Sequence, residues 1–367
     1  MIHVLHCADL HLTAEPAGER DYSLAVLDEI VSLAKAEDAA FLLFAGDTFN
    51  SFDDAAELRA GFRERMASLR GACEVILVAG NHEDLGRGAR KLASFDFGIA
   101  AENCVEFDGA FFRLICREGI EFLAVPHQHD YRGYTEWKVP AKRAPVRIAV
   151  AHGIVAGMSY AGDDGESDAR AAVMDADLFQ RHGADYAALG HIHAGRSQRQ
   201  GVTDIVYPGS ARVWRRNEYG PRRVALLDVE NAVRVSAREL SSAGQYRSLD
   251  LFVNFGGDID ALPPETRAWG RNDYVSLRFF GVVENETVAG DAIDALTADI
   301  GRRVRRVEAE RDLAVLDGIS AQPIARKFLD TWKSAGPRSD DPADVRAWLR
   351  ARELGLLRIK ELLEARS

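Results

Sequence analysis

One recurring pattern constrains the fold of this chain more than any bulk property. Over about the first 230 residues, short apolar runs rich in β-branched and aromatic residues stop abruptly at polar residues, and longer amphipathic stretches follow several of them. The runs are Ile2–Cys7, Phe41–Ala45, Val75–Ala79, Phe122–Val125, Arg147–Ala151, Tyr186–Leu189, Ile205–Tyr207 and Val224–Asp228. Near-continuous apolar runs of strand length suit sheets covered on both faces, and their alternation with helical stretches specifies a layered α/β domain. Between the first two runs, Tyr22–Ala36 puts Leu24, Leu27, Ile30, Val31 and Ala34 on one face and reads as a helix. Hairpin-like strands later in this region point to a mixed sheet.

After about Ser241 the rhythm changes. Leu249–Phe255 and Tyr274–Phe280 read as strands joined by a Gly/Asp/Pro-rich connection, followed by a helix at Val288–Arg302 and a strand at Val304–Glu310. This small α+β unit is shorter than an ordinary domain. From about Ser320 the periodicity is helical and is broken at Gly336-Pro337. Asp341-Pro342 opens a new helix with an N-cap residue followed by proline. There is no internal repeat and no low-complexity tract.

The chemistry sits where the apolar runs end. The first run leads into Asp9-Leu10-His11 and the second into Gly46-Asp47. The third leads into Gly80-Asn81-His82, and later runs into His152-Gly153 and Gly190-His191-Ile192-His193. Ligands of open α/β sheets bind at the carboxyl ends of strands, so these turns can converge on one site. Asp, Asn and His without cysteine form an oxygen and nitrogen donor set suited to Mn²⁺, Fe²⁺ or Zn²⁺. Glycines beside Asp47, Asn81, His152 and His191 allow tight turns.

The ordered blocks DxH, GD, GNH[DE], H and GHxH resemble the calcineurin-like metallophosphoesterase signature. Asp9-Leu10-His11-Leu12, Gly46-Asp47-Thr48-Phe49 and Tyr207-Pro208-Gly209-Ser210 are similar to its SbcD-type branch of DNA double-strand-break repair nucleases. The resemblance implies a four-layered α/β/β/α sandwich over residues 1–240, a capping domain over 247–318 that helps select DNA geometry, and C-terminal helices over 319–367. It implies two divalent metal ions, Mn²⁺ first, with Fe²⁺, Zn²⁺ or Mg²⁺ as alternatives. Asp9, His11 and His193 would hold one ion, Asn81, His152 and His191 the other, and Asp47 would bridge them. His82 would contact the phosphate and assist the leaving group. Glu83 stands where the nuclease branch more often has aspartate, and Asn50 where some relatives carry histidine or aspartate.

The implied activity is a two-metal phosphodiesterase on DNA ends, an exonuclease with single-strand endonuclease activity. The implied partners are DNA, an SbcC-like coiled-coil ABC-type ATPase gripped by the C-terminal helices, and a second copy of the chain. A phosphoesterase for nucleotides or other small esters would use the same cluster. A third alternative is a DNA-tethering scaffold for the ATPase.

Other residues have plainer readings beside functional ones. Tyr207-Pro208-Gly209-Ser210 is either a turn or a loop near the substrate phosphate, and Arg212, Trp214, Arg215 and Arg216 either suit a nucleic-acid strand or form a solvated charged loop. His3, His6 and His182 read as hydrogen-bonded or surface histidines, and His127 and His129 as a second HxH outside the ligand set. Gly162–Asp168 is an acidic surface loop or a lid. Ile324, Phe328, Leu329 and Trp332, then Val345, Trp348, Leu349, Leu356, Leu357, Ile359, Leu362 and Leu363, are helix faces for packing or for a partner.

Composition narrows the setting. No apolar stretch approaches the roughly 20 residues of a membrane span, and the first residues lack a signal peptide's basic region. Four scattered cysteines without a CxxC pair indicate neither a disulfide framework nor a zinc knuckle, which fits a cytoplasmic protein. The net charge of −11 argues against nucleic acid only until it is located. Residues 1–215 hold 22 Lys+Arg and 32 Asp+Glu, a balance of −10; residues 216–367 hold 24 and 25, a balance of −1. The acidity lies in the half that would bind cations, and two divalent ions would invert it locally.

Overall fold

Residue alternation along the first strands builds two separate cores. In β1 (Ile2–Cys7), Leu5 and Cys7 face one way and Val4 the other; in β2 (Ala39–Ala45), Leu42 and Phe44 oppose Phe41, Leu43 and Ala45. A strand with apolar residues on both faces needs cover on both sides. The computed structural model, which describes residues 1–16, 18–83, 103–107, 112–128, 130–158 and 173–365, shows what covers them.

The chain divides into two units, Met1–Tyr246 and Arg247–Ser367. In the first unit, β1 and β2 join β3 (Glu74–Val78), β4 (Cys104–Phe107), β13 (Arg223–Val229) and β14 (Val233–Glu239) in one sheet of order β14-β13-β1-β2-β3-β4. A second sheet contains β5 (Arg113–Arg117), β6 (Ile120–Val125), β7 (Val146–His152), β10 (Tyr186–Gly190), β11 (Arg196–Gln200) and β12 (Thr203–Tyr207). Its order is β11-β12-β10-β7-β6-β5. The central strands of both are parallel, while β13, β14, β11 and β5 pair antiparallel with their neighbours, so both sheets are mixed. A short ribbon of β8 (Ile154–Val155) and β9 (Val173–Met174) lies apart.

Between the sheets, Phe41, Leu43 and Ile76 from one meet Phe122, Ile148, Val150 and Tyr186 from the other. The Phe41 and Phe122 rings stand 4.8 Å apart at 55°, a tilted pair worth roughly 0.5–1.5 kcal/mol beyond the area it buries. Outside the first sheet pack α1 (Glu19–Ala36) and α2 (Phe52–Ala67), and outside the second the short α3 (Asp177–Arg181) and a 3₁₀ turn at Arg132–Glu136. The result is an α/β/β/α sandwich, the fold class that the sequence implies.

Some elements depart from the sequence expectation. Helix α1 starts three residues earlier than the pattern indicates, at Glu19. Helix α2 carries little sequence signal, because its buried stripe is only Ala55, Leu58, Phe62 and Met66 among many charges. Ser51 caps it by accepting the Asp54 N–H.

The second unit has a three-stranded sheet of β15 (Tyr246–Val253), β16 (Tyr274–Val283) and β17 (Arg306–Val315), with α4 (Glu286–Gly301) as the crossover between the parallel β16 and β17. Helix α4 buries Ala289, Ile293 and Ile300 against Leu251, Val275, Leu277 and Phe279. Strand β17 continues past the expected Glu310, where Glu308, Glu310 and Asp312 conceal the alternation of Val307, Ala309, Leu313 and Val315. Helices α5 (Pro323–Ala335) and α6 (Pro342–Glu364) pack Ala325 and Leu356 onto Phe255, Val282, Leu316 and Ile319. Gly336, with φ 62°, ends α5, and the Asp341 carboxylate caps α6 by accepting the Ala343 N–H. Among the described residues, no helix is long and apolar enough to cross a membrane.

Candidate metal centre

Every expected ligand lies at or just past the carboxyl end of a parallel strand. Asp9 and His11 follow β1, Asp47 follows β2, Asn81 and His82 follow β3, His152 ends β7, and His191 and His193 follow β10. Both sheets therefore contribute to one cluster. Asp9, His11, Asp47 and His152 have no exposed surface, and His191 and His193 almost none. Gly46 and Gly80 permit this density. A Cβ on Gly46 would lie 2.2 Å from His152 Nδ1, and one on Gly80 would lie 2.1 Å from an Asp47 carboxylate oxygen, both far too close.

Two groups of donors form around Asp47. In the first, His11 Nε2 lies 3.0 Å from His193 Nε2 and 3.8 Å from Asp47 Oδ2, and Asp9 offers its carboxylate within the same cluster. In the second, Asn81 Oδ1 lies 2.8 Å from His152 Nε2 and 2.9 Å from His191 Nδ1, and His152 Nε2 lies 3.4 Å from Asp47 Oδ2. Atoms bound to a first-row divalent ion sit about 2.0–2.2 Å from it, which places them about 3.0–3.5 Å from each other. The separations of 2.8–3.4 Å lie in or within 0.2 Å of that range, and the His11–Asp47 distance of 3.8 Å is longer. Buried polar atoms in proteins are almost always hydrogen-bonded, yet Asp9 Oδ2 and Asp47 Oδ2 have no hydrogen-bond partner. The donor set fits two divalent ions.

Electrostatics agree. Burial, reinforced by the Asp47 charge, pushes the Asp9 carboxyl up to about 7. Burial alone would lower His152, but the Asp47 and Asp9 carboxylates hold it up to about 10. Burial drives His11 well below the usual imidazole range. Positive charge placed among these ligands would relieve the strain on the acids.

The sequence marks Glu83 and Asn50 as motif positions but does not give their supporting roles. Glu83 is buried beside Asp47; one carboxylate oxygen accepts the N–H groups of Asp47 (2.9 Å) and Gly80 (2.8 Å), and the other that of Phe49 (2.9 Å). It ties the second and third ligand loops together. The Asn50 side chain points to Asp54, but its backbone carbonyl receives the His82 Nδ1–H at 2.7 Å. Thus the Asn50 loop orients His82 through backbone. The His82 ring stands 4.6 Å from that of His11, edge to face. His152 donates its Nδ1–H to the Ala45 carbonyl at 2.9 Å, so Nε2 faces the cluster.

The proposed substrate contacts fare differently. Arg212 is fully buried, donating to Glu19 (2.9 Å) and to the carbonyls of Leu10 (2.5 Å) and His11. It has no surface to offer a strand and instead holds the first ligand loop in place. Ser210 is buried too, its hydroxyl accepting from Arg222 at 3.0 Å. Arg215 remains half-exposed, and its backbone N–H reaches Glu218. Tyr207 is buried and binds the Gly153 carbonyl and Val155 N–H, steadying the loop behind His152.

His127 is buried with its ring 6.1 Å from that of His152. His6 sits between Tyr186 Oη and the Leu189 carbonyl, His182 bonds the Tyr134 carbonyl, and half-exposed His3 bonds that of Glu37. His129 and Gly162–Asp168 lie outside the described residues.

Comparison with known proteins agrees with this geometry. The profile described as calcineurin-like phosphoesterase matches residues 2–195. The uncharacterized metallophosphoesterase YhaO of Bacillus subtilis (strain 168) is 25% identical over 245 residues, covering 62% of this chain and 57% of that protein. The D component of the nuclease SbcCD from the same organism is 23% identical over 276 residues, covering 66% of this chain and 71% of that protein. This chain thus spans little more than half the length of the first of these relatives.

Proposed function

Because this chain belongs to the calcineurin-like phosphoesterase family, whose members hydrolyse phosphoesters with divalent metals, we propose that it cleaves phosphodiester bonds at DNA ends. The observation that carries the catalytic part is the pair of donor groups meeting at Asp47. The similarity to a component of a nuclease supports DNA as the substrate.

Asp9, His11 and His193 would hold one ion, Asn81, His152 and His191 the second, and Asp47 both. Divalent ions there, Mn²⁺ first, would supply Lewis-acid activation of the phosphoester and of an attacking water. The chain's own residues set the stage. Glu83 fixes the Asp47 loop, and Arg212 fixes the carbonyls of Leu10 and His11. His82, pinned through Nδ1 to Asn50, would donate a proton from Nε2 to the leaving oxygen. Arginines outside the cluster support contact with a phosphodiester backbone. Arg302, Arg303, Arg305 and Arg306 collect where α4 ends and β17 begins, in the segment assigned to DNA selection.

Helices α5 and α6 would dock an SbcC-like coiled-coil ATPase, and two copies of the chain would pair. The four cysteines are unbridged, as in a reducing compartment, and we place the protein in the cytoplasm.

The test is an Mn²⁺ assay on end-labelled single- and double-stranded DNA beside a small chromogenic phosphodiester. Cleavage of DNA is the expected result. Cleavage of the small ester alone, even with the ATPase added, would replace the DNA reading with a small-molecule phosphoesterase. Asp47→Ala abolishes turnover on either substrate; retained activity would refute the bridging role. A cellular repair function that survived His82→Ala would favour the tethering scaffold.

A further inference from the structure

We infer that Glu218 is a positioning residue that fixes which nitrogen His193 turns toward the cluster, and that it supports one half of the paired site. The inference rests on the metal reading above. Glu218 is buried, 7% exposed, and its Oε1 meets His193 Nδ1 in a short hydrogen bond. A carboxylate only accepts, so Nδ1 carries the hydrogen and Nε2 is left with its lone pair. That Nε2 is the atom facing His11 Nε2 at 3.0 Å.

The second carboxylate oxygen is also committed. Glu218 Oε2 accepts the backbone N–H groups of Trp214 at 2.6 Å and Arg215 at 3.0 Å, so the carboxylate cannot turn away. The same turn presents the Trp214 indole, stacked on the His11 imidazole at 5.9 Å and 11°. One short segment therefore braces His11 and His193, which arise from different sheets. His152 in the other half is steadied by the Ala45 carbonyl and Asn81. A carboxylate behind a metal-binding histidine sets its tautomer, and losing such a partner typically weakens metal binding about 10–100-fold.

Glu218→Gln separates this role from simple packing. If the amide oxygen keeps the two backbone N–H bonds, its NH₂ faces His193 Nδ1 and forces the ring hydrogen onto Nε2. The metal-free full-length chain would be titrated with Mn²⁺ by equilibrium dialysis, with melting temperature measured in parallel. Wild type should take up two ions. Glu218→Gln, melting near wild type without metal, should keep one ion and bind the other at least about tenfold more weakly. Two ions at wild-type affinity on the variant would overturn the role of Glu218 and leave the metal reading intact. No ion on the wild type would overturn both.

A second measurement needs no variant. ¹⁵N NMR of metal-free wild type should show His193 as the Nδ1–H tautomer, and the Nε2–H tautomer would refute the inference even if Glu218→Gln failed to fold.

Discussion

At the scale of single residues, the site is unusual in its backbone. Asp9, His11, Asp47 and His191 hold positive φ angles of 52°, 42°, 49° and 103°. Such conformations cost a non-glycine residue roughly 1–3 kcal/mol, least for Asp, Asn and His. The ligand types that suit a metal are thus also those that tolerate these turns. Asp47→Asn should keep the fold and lose roughly a hundredfold in turnover. Gly46→Ala should do the reverse of a mild change. Its φ of 86° costs about 1–2 kcal/mol with a Cβ, and the displaced His152 should lower Mn²⁺ affinity in the same titration.

His6 offers a pH test away from the cluster's charges. Burial pulls its pKa down from 6.5 to about 3 while the Leu189 carbonyl pulls it up. The folded state refuses a proton that the unfolded chain accepts below pH 6.5. Stability is therefore complete above 6.5 and falls as pH drops toward 3, by up to about 1.4 kcal/mol per unit. His6→Gln should flatten the acid slope of melting temperature; an unchanged slope would exonerate His6. The proposed ligand positions are legible in sequence because residue type and strand end coincide at each block, with a glycine beside Asp47, Asn81, His152 and His191. The roles of Glu83 and Glu218 are not, because they act on Asp47 and His193, 36 and 25 positions away, through contacts that no local pattern encodes.

At the scale of elements, the C-terminal helices show how far periodicity reaches. It locates both helices and the break at Gly336, yet does not distinguish which apolar residues pack within the chain. Leu356 is fully buried in the second unit's core, whereas Trp348 is half-exposed and stacks on Trp332 at 5.7 Å. Leu356→Ala should cost about 2–5 kcal/mol, read by urea denaturation. Trp348→Ala should change stability less and diminish capture of the proposed ATPase. Equal effects on both assays would place Trp348 in the core instead. Strand β17 escapes the pattern for the opposite reason, since Glu308, Glu310 and Asp312 on one face and Arg311 on the other interrupt its apolar alternation.

At the scale of the whole molecule, acidity and phosphate chemistry coexist because the net negative charge lies in the part that would carry the cations, with residues 1–215 balancing to −10 and residues 216–367 to −1. Replacing Arg302, Arg303, Arg305 and Arg306 with alanine should weaken DNA binding and flatten its salt dependence by about 0.7–0.9 in log–log slope for each phosphate no longer neutralised. Cleavage of a small ester should not change. An unaltered salt slope would remove this cluster from the DNA path. Saturating Mn²⁺ at a hundred times its dissociation constant should stabilise the fold by about 2.7 kcal/mol for each ion, and a chelator should reverse it.

The seam between the two sheets has one more consequence, and it concerns time. Neither sheet alone owns a complete donor group, since β1, β2 and β3 supply one side and β7 and β10 the other. A refolding chain with only one sheet formed has nothing to capture an ion tightly. Metal uptake should therefore lag behind secondary structure in stopped-flow refolding and coincide with the docking of the sheets. The ions would arrive as the last act of folding and act as its latch.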